Sequence, residues 1–159
     1  MSVARRHAEP FWETTLLAAM RPDQWEMLCD RCGRCCLEKL TNRRNGKVYY
    51  TSIPCRLLDT YTCRCRNYAE RRRIVPNCIQ LTPASPAAFR WLPRTCAYRL
   101  LLEGQPLPAW HPLLSGDPDS VHAAGVSIRG RRLHAMPHDH ECLEDYIVEW
   151  GFWGKKARA

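Results

Sequence analysis

The chain has 159 residues, among them 10 Cys, 12 Pro and 6 Trp, and its 24 Lys+Arg against 16 Asp+Glu give a formal charge of +8. That length suits one domain with a core of ordinary size. Hydrophobic residues at 45% exclude a disordered tail, and no run of about 18 apolar residues is present to cross a bilayer.

In chain order, Phe11, Trp12, Leu16, Leu17, Met20, Trp25 and Leu28 recur at roughly helical spacing. They predict two short helices, the second over Pro22 to Leu28, with the aromatics as core. Asn45-Gly46 is a turn pair, and the β-branched and aromatic stretch Lys47 to Ile53 after it predicts a strand or hairpin. One helical turn is expected at Tyr68 to Arg73, with Pro76 as a stop. Leu81 to Pro93 reads as a loop or broken helix, and Cys96 to Glu103 as a short helix ended by Gly104 and Pro106. Pro108 to Pro118 is expected to be irregular. Val126 to Ile128 and Arg132 to Ala135 are expected as a strand pair joined at Gly130, and Leu143 to Trp150 as a last short helix ended by Gly151. No internal repeat is visible. The whole reads as a small, irregular, loop-rich α+β domain over 1–159, organised around a metal site. Its parts are an N-terminal helical segment (11–28), a cysteine-rich core (29–96), a Pro-rich segment with short strands (97–135) and a C-terminal helix with a basic tail (136–159).

The cysteines carry the chemistry. Cys29, Cys32 and Cys35 form two overlapping CxxC units, Cys36 adds a neighbouring thiol, and Cys55, Cys63, Cys65, Cys78 and Cys96 follow. The start of the chain carries Arg5, Arg6 and Glu9 in place of an apolar secretory core, so a reducing, cytoplasmic setting is expected. There, so many thiols imply metal ligation rather than disulfides. A CxxC turn brings two soft donors to one point, and Gly33 eases the turn. Adjacent side chains diverge, so Cys35 and Cys36 point to more than one metal atom, or to one thiol that is not a ligand. The spacing is too irregular for an ordinary zinc finger. It suits a larger site in which the first run forms one half, closed by Cys55, Cys65 and Cys78, with Cys63 and Cys96 as further candidates.

Several segments together resemble the CxxCxxCC family of suspected zinc- or iron-chelating proteins: Cys29-Asp-Arg-Cys32-Gly-Arg-Cys35-Cys36, Cys55-Arg-Leu-Leu58, Cys65-Arg-Asn-Tyr68-Ala-Glu-Arg71 and Cys78. Further segments look like its bacterial, uncharacterised UPF0260 (YcgN-like) subgroup: Cys63-Arg-Cys65, Trp91-Leu-Pro93, Thr95-Cys96-Ala-Tyr98-Arg99-Leu100 and Leu107-Pro-Ala-Trp110-His111-Pro112-Leu113. The match runs from about Pro10 to Arg132. The resemblance implies zinc or iron, and some relatives in the broader family are linked to iron–sulfur chemistry. Crowded thiols and nearby arginines place iron or an iron–sulfur cluster slightly ahead of zinc.

The positive balance has a local explanation. Bound thiolates are anions, and Arg31, Arg34, Arg56, Arg64, Arg66 and Arg71 to Arg73 lie within the cysteine segment to compensate them. A nucleic-acid partner ranks behind this reading. His138, Asp139, His140, Glu141 and Cys142 read as a solvated loop rather than a second site, and His111 as an anchor of its Pro-rich loop. His122 and His134 have no partner evident from spacing. Tyr68 and Arg71 either tune the thiolates or pack over them. No phosphate loop, serine elbow or HExxH motif appears, and the first CxxC follows a predicted helix rather than opening one, unlike a thiol–disulfide enzyme. Three readings result: a thiolate metal-binding protein; an iron-dependent enzyme with an open coordination position near Tyr68, Arg71 or His111; and a zinc-stabilised nucleic-acid-binding module.

Overall fold

A computed structural model describes residues 9–138 and 142–149. The predicted N-terminal helices are present as α1 (Phe11–Thr14), a 3-10 turn (Leu17–Ala19) and α2 (Pro22–Met27). Pro22 opens α2, where its missing N–H costs nothing, and the Arg21 N–H donates to Gln24 Oε1 at 3.0 Å. Strands β1 (Leu37–Thr41) and β2 (Val48–Pro54) form the expected antiparallel hairpin, with Thr41 opposite Val48 and Leu37 opposite Pro54. A second, two-residue ladder, β3 (Leu58–Asp59) against β4 (Arg64–Cys65), has no hydrophobic alternation to announce it. Next come α3 (Arg71–Ile74), a 3-10 segment (Pro86–Trp91) in the stretch expected as a loop or broken helix, and α4 (Ala97–Leu102).

The structure departs from expectation in three places. The stretch expected to be irregular holds α5 (Pro112–Ser115), and α6 (Ser120–Ala123) follows it. The strand pair expected at Val126–Ile128 and Arg132–Ala135 is absent, because this loop sends its N–H groups elsewhere. Ile128 donates to the Cys32 carbonyl at 2.9 Å and His134 to the Ser52 carbonyl at 2.9 Å. The segment 97–135 therefore carries short helices and loops, not strands. The last expected helix is only a 3-10 turn (Leu143–Tyr146), after which Ile147 bridges Thr51 of β2. Trp150, Gly151 and the basic tail lie outside the described residues.

Packing divides into three apolar groups. The largest holds Leu28, Phe89, Leu92, Ala97, Tyr98 and Leu107, with Trp12, Trp25, Cys35 and Cys96 packed against it. Trp25 and Tyr98 rings lie 4.8 Å apart, and the Tyr98 hydroxyl donates to the Trp25 carbonyl at 2.7 Å, so an aromatic contact and a hydrogen bond fix α2 on α4. A second group joins Leu37, Leu58, Cys63 and Ile128, flanked by Cys36 and Cys55. A third is Cys32, Val121 and Val126 with Trp110. Cysteines thus line all three groups, and the loops that carry them are held by packing rather than by regular structure.

Candidate metal centre

The first cysteine run is set in place by backbone turns and one histidine. His111 is fully buried; its Nδ1 accepts from the Leu113 N–H at 3.1 Å, which fixes Nε2 as the donor to the Leu28 carbonyl at 3.0 Å. Both ring nitrogens are used, so His111 anchors the chain just before Cys29, as expected from its loop. Asp30 Oδ1 then accepts the Cys32 N–H at 3.0 Å, an Asx turn within the first CxxC. Arg31 (φ 61) and Gly33 (φ 75) both take left-handed conformations, bending the chain once in each CxxC. At Gly33 a Cβ would come within 2.8 Å of Ile128 Cγ1 and 3.3 Å of Cys63 Cβ, so only glycine fits the second bend.

The thiols fall into two sets. Cys29, Cys32, Cys35 and Cys96 feel one another's charge: Cys35 acts on Cys29, Cys32 and Cys96, and Cys96 acts on Cys32. Cys36 feels Cys35 and Cys55, while Cys78 feels Cys55 and Cys65 and, more weakly, Cys35. The backbone supports the second set, since the Cys55 N–H donates to the Cys36 carbonyl at 2.7 Å and Cys65 pairs with Leu58 across the β3–β4 ladder. The sets meet at Cys35 and Cys36, whose sulfurs are 4.0 Å apart. Cys96, the most distant candidate in sequence, thus joins the first run. Cys63 packs in the same apolar group as Cys36 and Cys55, buried against Ile128 in a left-handed conformation, and the charges that reach it are chiefly those of Arg129 and Asp59.

These thiols are poised against ionisation. Loss of water, then the charges of Cys35 and Asp30, pushes Cys29 up to about 12; although the residue is exposed, protein crowds its sulfur. Burial likewise drives Cys32 and Cys96 well upward. One backbone N–H opposes this at each: that of Arg31 at Cys29, Arg34 at Cys32 and Tyr98 at Cys96. These are the N–H groups that a thiolate turn uses to steady its sulfur. Cys35 goes the other way, lowered first by the hydrogen bond with Cys36 and helped by Lys39, while Cys36 rises. A cluster of buried thiols whose anions would repel one another gains from a cation that displaces their protons.

Cations already stand nearby. Lys39 Nζ donates to the carbonyls of Cys35 at 2.5 Å and Leu37 at 2.8 Å, and its charge reaches Cys35, Cys36 and Cys55. Arg34, 1% exposed, interacts with the charges of Cys32 and Asp30 and donates to Thr95 Oγ1 at 3.4 Å, tying the run to the approach of Cys96. Arg71 lies 3.8 Å from the Tyr68 ring centre and opposes the upward shift of Cys78; Tyr68 donates to Glu26 at 3.1 Å and feels Cys29. Other arginines staple loops. Arg56 donates to the Ile74 carbonyl, and Arg131 to that of Gly125 at 2.8 Å.

Sequence reasoning overlooked Asp30 and Lys39. Only their positions inside the cysteine run could have drawn attention to them. His122 bonds Ser127 and His134 bonds Ser52, each through Nδ1, so both have partners that spacing did not reveal. His138 is exposed, Asp139 to Glu141 lie outside the described residues, and Cys142 is exposed.

The donor chemistry fits a thiophilic ion: eight thiols in two sets, a buried carboxylate and nearby cations. Among the described residues, no three Cys, His, Asp or Glu side chains already stand in position to hold one ion. The sulfurs are gathered within electrostatic reach and have not converged. A groove of about 460 Å³ beside Trp12, Leu17, Leu101 and Leu107 has no cysteine in its lining, so it is separate from the thiol sets. Among the described residues no helix is long and apolar enough to cross a membrane.

Residues 28–97 match the CxxCxxCC family model, described as a "Putative zinc- or iron-chelating domain". A UPF0260 protein of Azotobacter vinelandii is 54% identical over 88% of this chain and 94% of its own length. Relatives of the same name from Granulibacter bethesdensis (53%, covering 90% of this chain and 85% of the relative) and Rhizobium etli (52%, covering 89% of each) agree. No solved structure matches the chain. With this identity over nearly its whole length, the chain belongs to the UPF0260 family and carries its CxxCxxCC domain.

Proposed function

We propose that this protein chelates iron or zinc through two four-thiol sets, Cys29/Cys32/Cys35/Cys96 and Cys36/Cys55/Cys65/Cys78, with iron, alone or in an iron–sulfur cluster, ahead of zinc. The observation that carries the reading is the packing of Cys35 and Cys96 against one core group and of Cys36 and Cys55 against another, with the Cys35 and Cys36 sulfurs 4.0 Å apart where the two meet. Four thiolates are what one tetrahedral ion or one cluster requires. Lys39, Arg34 and Arg71 would balance the net negative charge that four thiolates leave around either metal, and the crowded run of thiols places iron ahead. Cys63, buried beside Cys36 and Cys55, is a further candidate donor to the second set. When bound, the metal would supply the positive charge that lets the thiols ionise. The residues of this chain hold the sulfurs, donate N–H groups to them and shield them with Leu28, Tyr98 and Ile128.

The role is binding rather than a defined reaction. His111 has no free nitrogen for proton transfer, and the apolar groove has no thiol in its lining. Arg56, Arg129 and Arg131 donate to backbone carbonyls and Arg99 to Glu103, so part of the positive balance serves the fold, and the nucleic-acid reading ranks behind metal binding.

Anaerobic purification with elemental analysis and an absorption spectrum tests the proposal. About two metal equivalents, or a cluster with its sulfide and visible charge-transfer bands, are expected per chain. A folded monomer carrying less than about 0.2 equivalents of any transition metal, prepared with and without air, refutes it.

A further inference from the structure

Trp110 stands beside the histidine that anchors the start of the cysteine run, and it packs against the buried group of Cys32, Val121 and Val126. Its backbone is held on both sides. The Ser120 hydroxyl donates to the Trp110 carbonyl, while the next residue, His111, donates its N–H to the Pro108 carbonyl at 2.8 Å and its Nε2–H to that of Leu28 at 3.0 Å. The indole Nε1 is buried, and among the described residues nothing accepts a hydrogen bond from it. A buried indole N–H ordinarily finds an acceptor, and leaving it unpaired out of reach of bulk water is costly. The surroundings narrow the choice. The Ile128 N–H already donates to the Cys32 carbonyl at 2.9 Å, and the Val126 N–H to that of Val121 at 3.2 Å. The two valine side chains cannot accept at all. That leaves the sulfur of Cys32, a residue 6% exposed, as the one side-chain acceptor in the group.

Resting on the reading of the first set as a metal site, we propose that Trp110 Nε1–H donates a hydrogen bond to the Cys32 sulfur when that sulfur holds a metal. A protonated thiol is a weak acceptor, whereas a metal-bound thiolate keeps negative charge on sulfur and makes the hydrogen bond charge-assisted. The indole donor is thus satisfied in the loaded protein and not in the metal-free one. Trp110 is a positioning residue: it engages one lone pair of Cys32, leaves another for the ion, and favours the bound state. Hydrogen bonds to a ligating thiolate also draw electron density from sulfur, so with iron bound the loss of this one should lower the reduction potential.

The test is nuclear magnetic resonance on the full chain loaded anaerobically with a spin-active isotope of cadmium, a thiophilic and diamagnetic stand-in for zinc. The Trp110 indole proton is recognised by its proximity to the Val121 and Val126 methyl groups. On loading it should move downfield, exchange more slowly with solvent, and show scalar coupling to cadmium through the N–H···S bond. Trp110→Phe keeps an aromatic ring in place and removes the donor. It should still bind cadmium but give it up about tenfold more readily in chelator competition. With cadmium bound, an indole proton that keeps its shift or lacks the coupling, or a variant that holds cadmium as tightly as the wild type, overturns the assignment and leaves the metal reading standing. Failure of the wild-type chain to bind cadmium or any other metal removes both. If the variant does not fold, the coupling in the wild-type chain alone decides.

Discussion

Cys35 and Cys96 are embedded against the aromatic core of Trp25, Phe89 and Tyr98, and Cys32 is sealed under Val121 and Trp110, whereas Cys65 and Cys78 hang on a two-residue ladder and beside the exposed basic helix α3. The first set is therefore continuous with the core, and Cys29, Cys32 and Cys96 are raised chiefly by loss of water while Cys35 is lowered by its hydrogen bond with Cys36. Cys65 and Cys78 stand farther from that aromatic core, with Arg71 close to Cys78. The contrast teaches that Cys32, Cys35 and Cys96 are part of the packed core, whereas Cys65 and Cys78 are attached at its margin.

The sharpest way to break this comparison is to remove one thiol from each side. In the metal-loaded protein, Cys96→Ser removes a donor at the N-cap of α4 and should lower stability by about 4 kcal/mol or more, with loss of the first-set metal. Cys78→Ser should cost about 1–2 kcal/mol and leave the first-set metal bound. Denaturant unfolding paired with metal analysis reads both, and equal losses would erase the distinction. Gly33→Ala probes the bend inside the first set. Its φ of 75° and the 2.8 Å approach of Ile128 predict a loss of about 2–5 kcal/mol. Gly46→Ala, with a similar φ but open space, should lose only about 1 kcal/mol by the same measurement. The smallest effect belongs to α3: the exposed Arg73–Glu70 pair should contribute less than about 0.5 kcal/mol, read as a nearly unchanged melting midpoint in Arg73→Ala.

The elements legible in the sequence were those with local signals. Pro22 marked a helix start, Asn45-Gly46 marked a hairpin, and Gly104 marked the end of α4. The β3–β4 ladder was not legible, because two-residue strands bury too little to show alternation. The strand pair at 126–135 was a plausible local reading defeated by distant partners, since the hydrogen bonds of Ile128 and His134 go to Cys32 and Ser52. The cysteines themselves were evident, but their grouping was not. Spacing left Cys63 and Cys96 alike as further candidates. Packing of α4 on α2 brings Cys96 to the first run, while a left-handed turn at Cys63 directs it under Gly33 and Ile128.

The contact between Arg34 and Thr95 joins positions 61 residues apart. A metal shared by Cys35 and Cys96 would close a loop of nearly that length, and a covalent link over such a span removes about 4 kcal/mol of unfolded-chain entropy. The ion would then act as a late clasp. The overlapping CxxC turns can capture it while most of the chain is still unstructured, and arrival of Cys96 turns a local complex into a long-range constraint. Folding and loading would then be coupled, so free metal concentration should govern how stable the protein becomes.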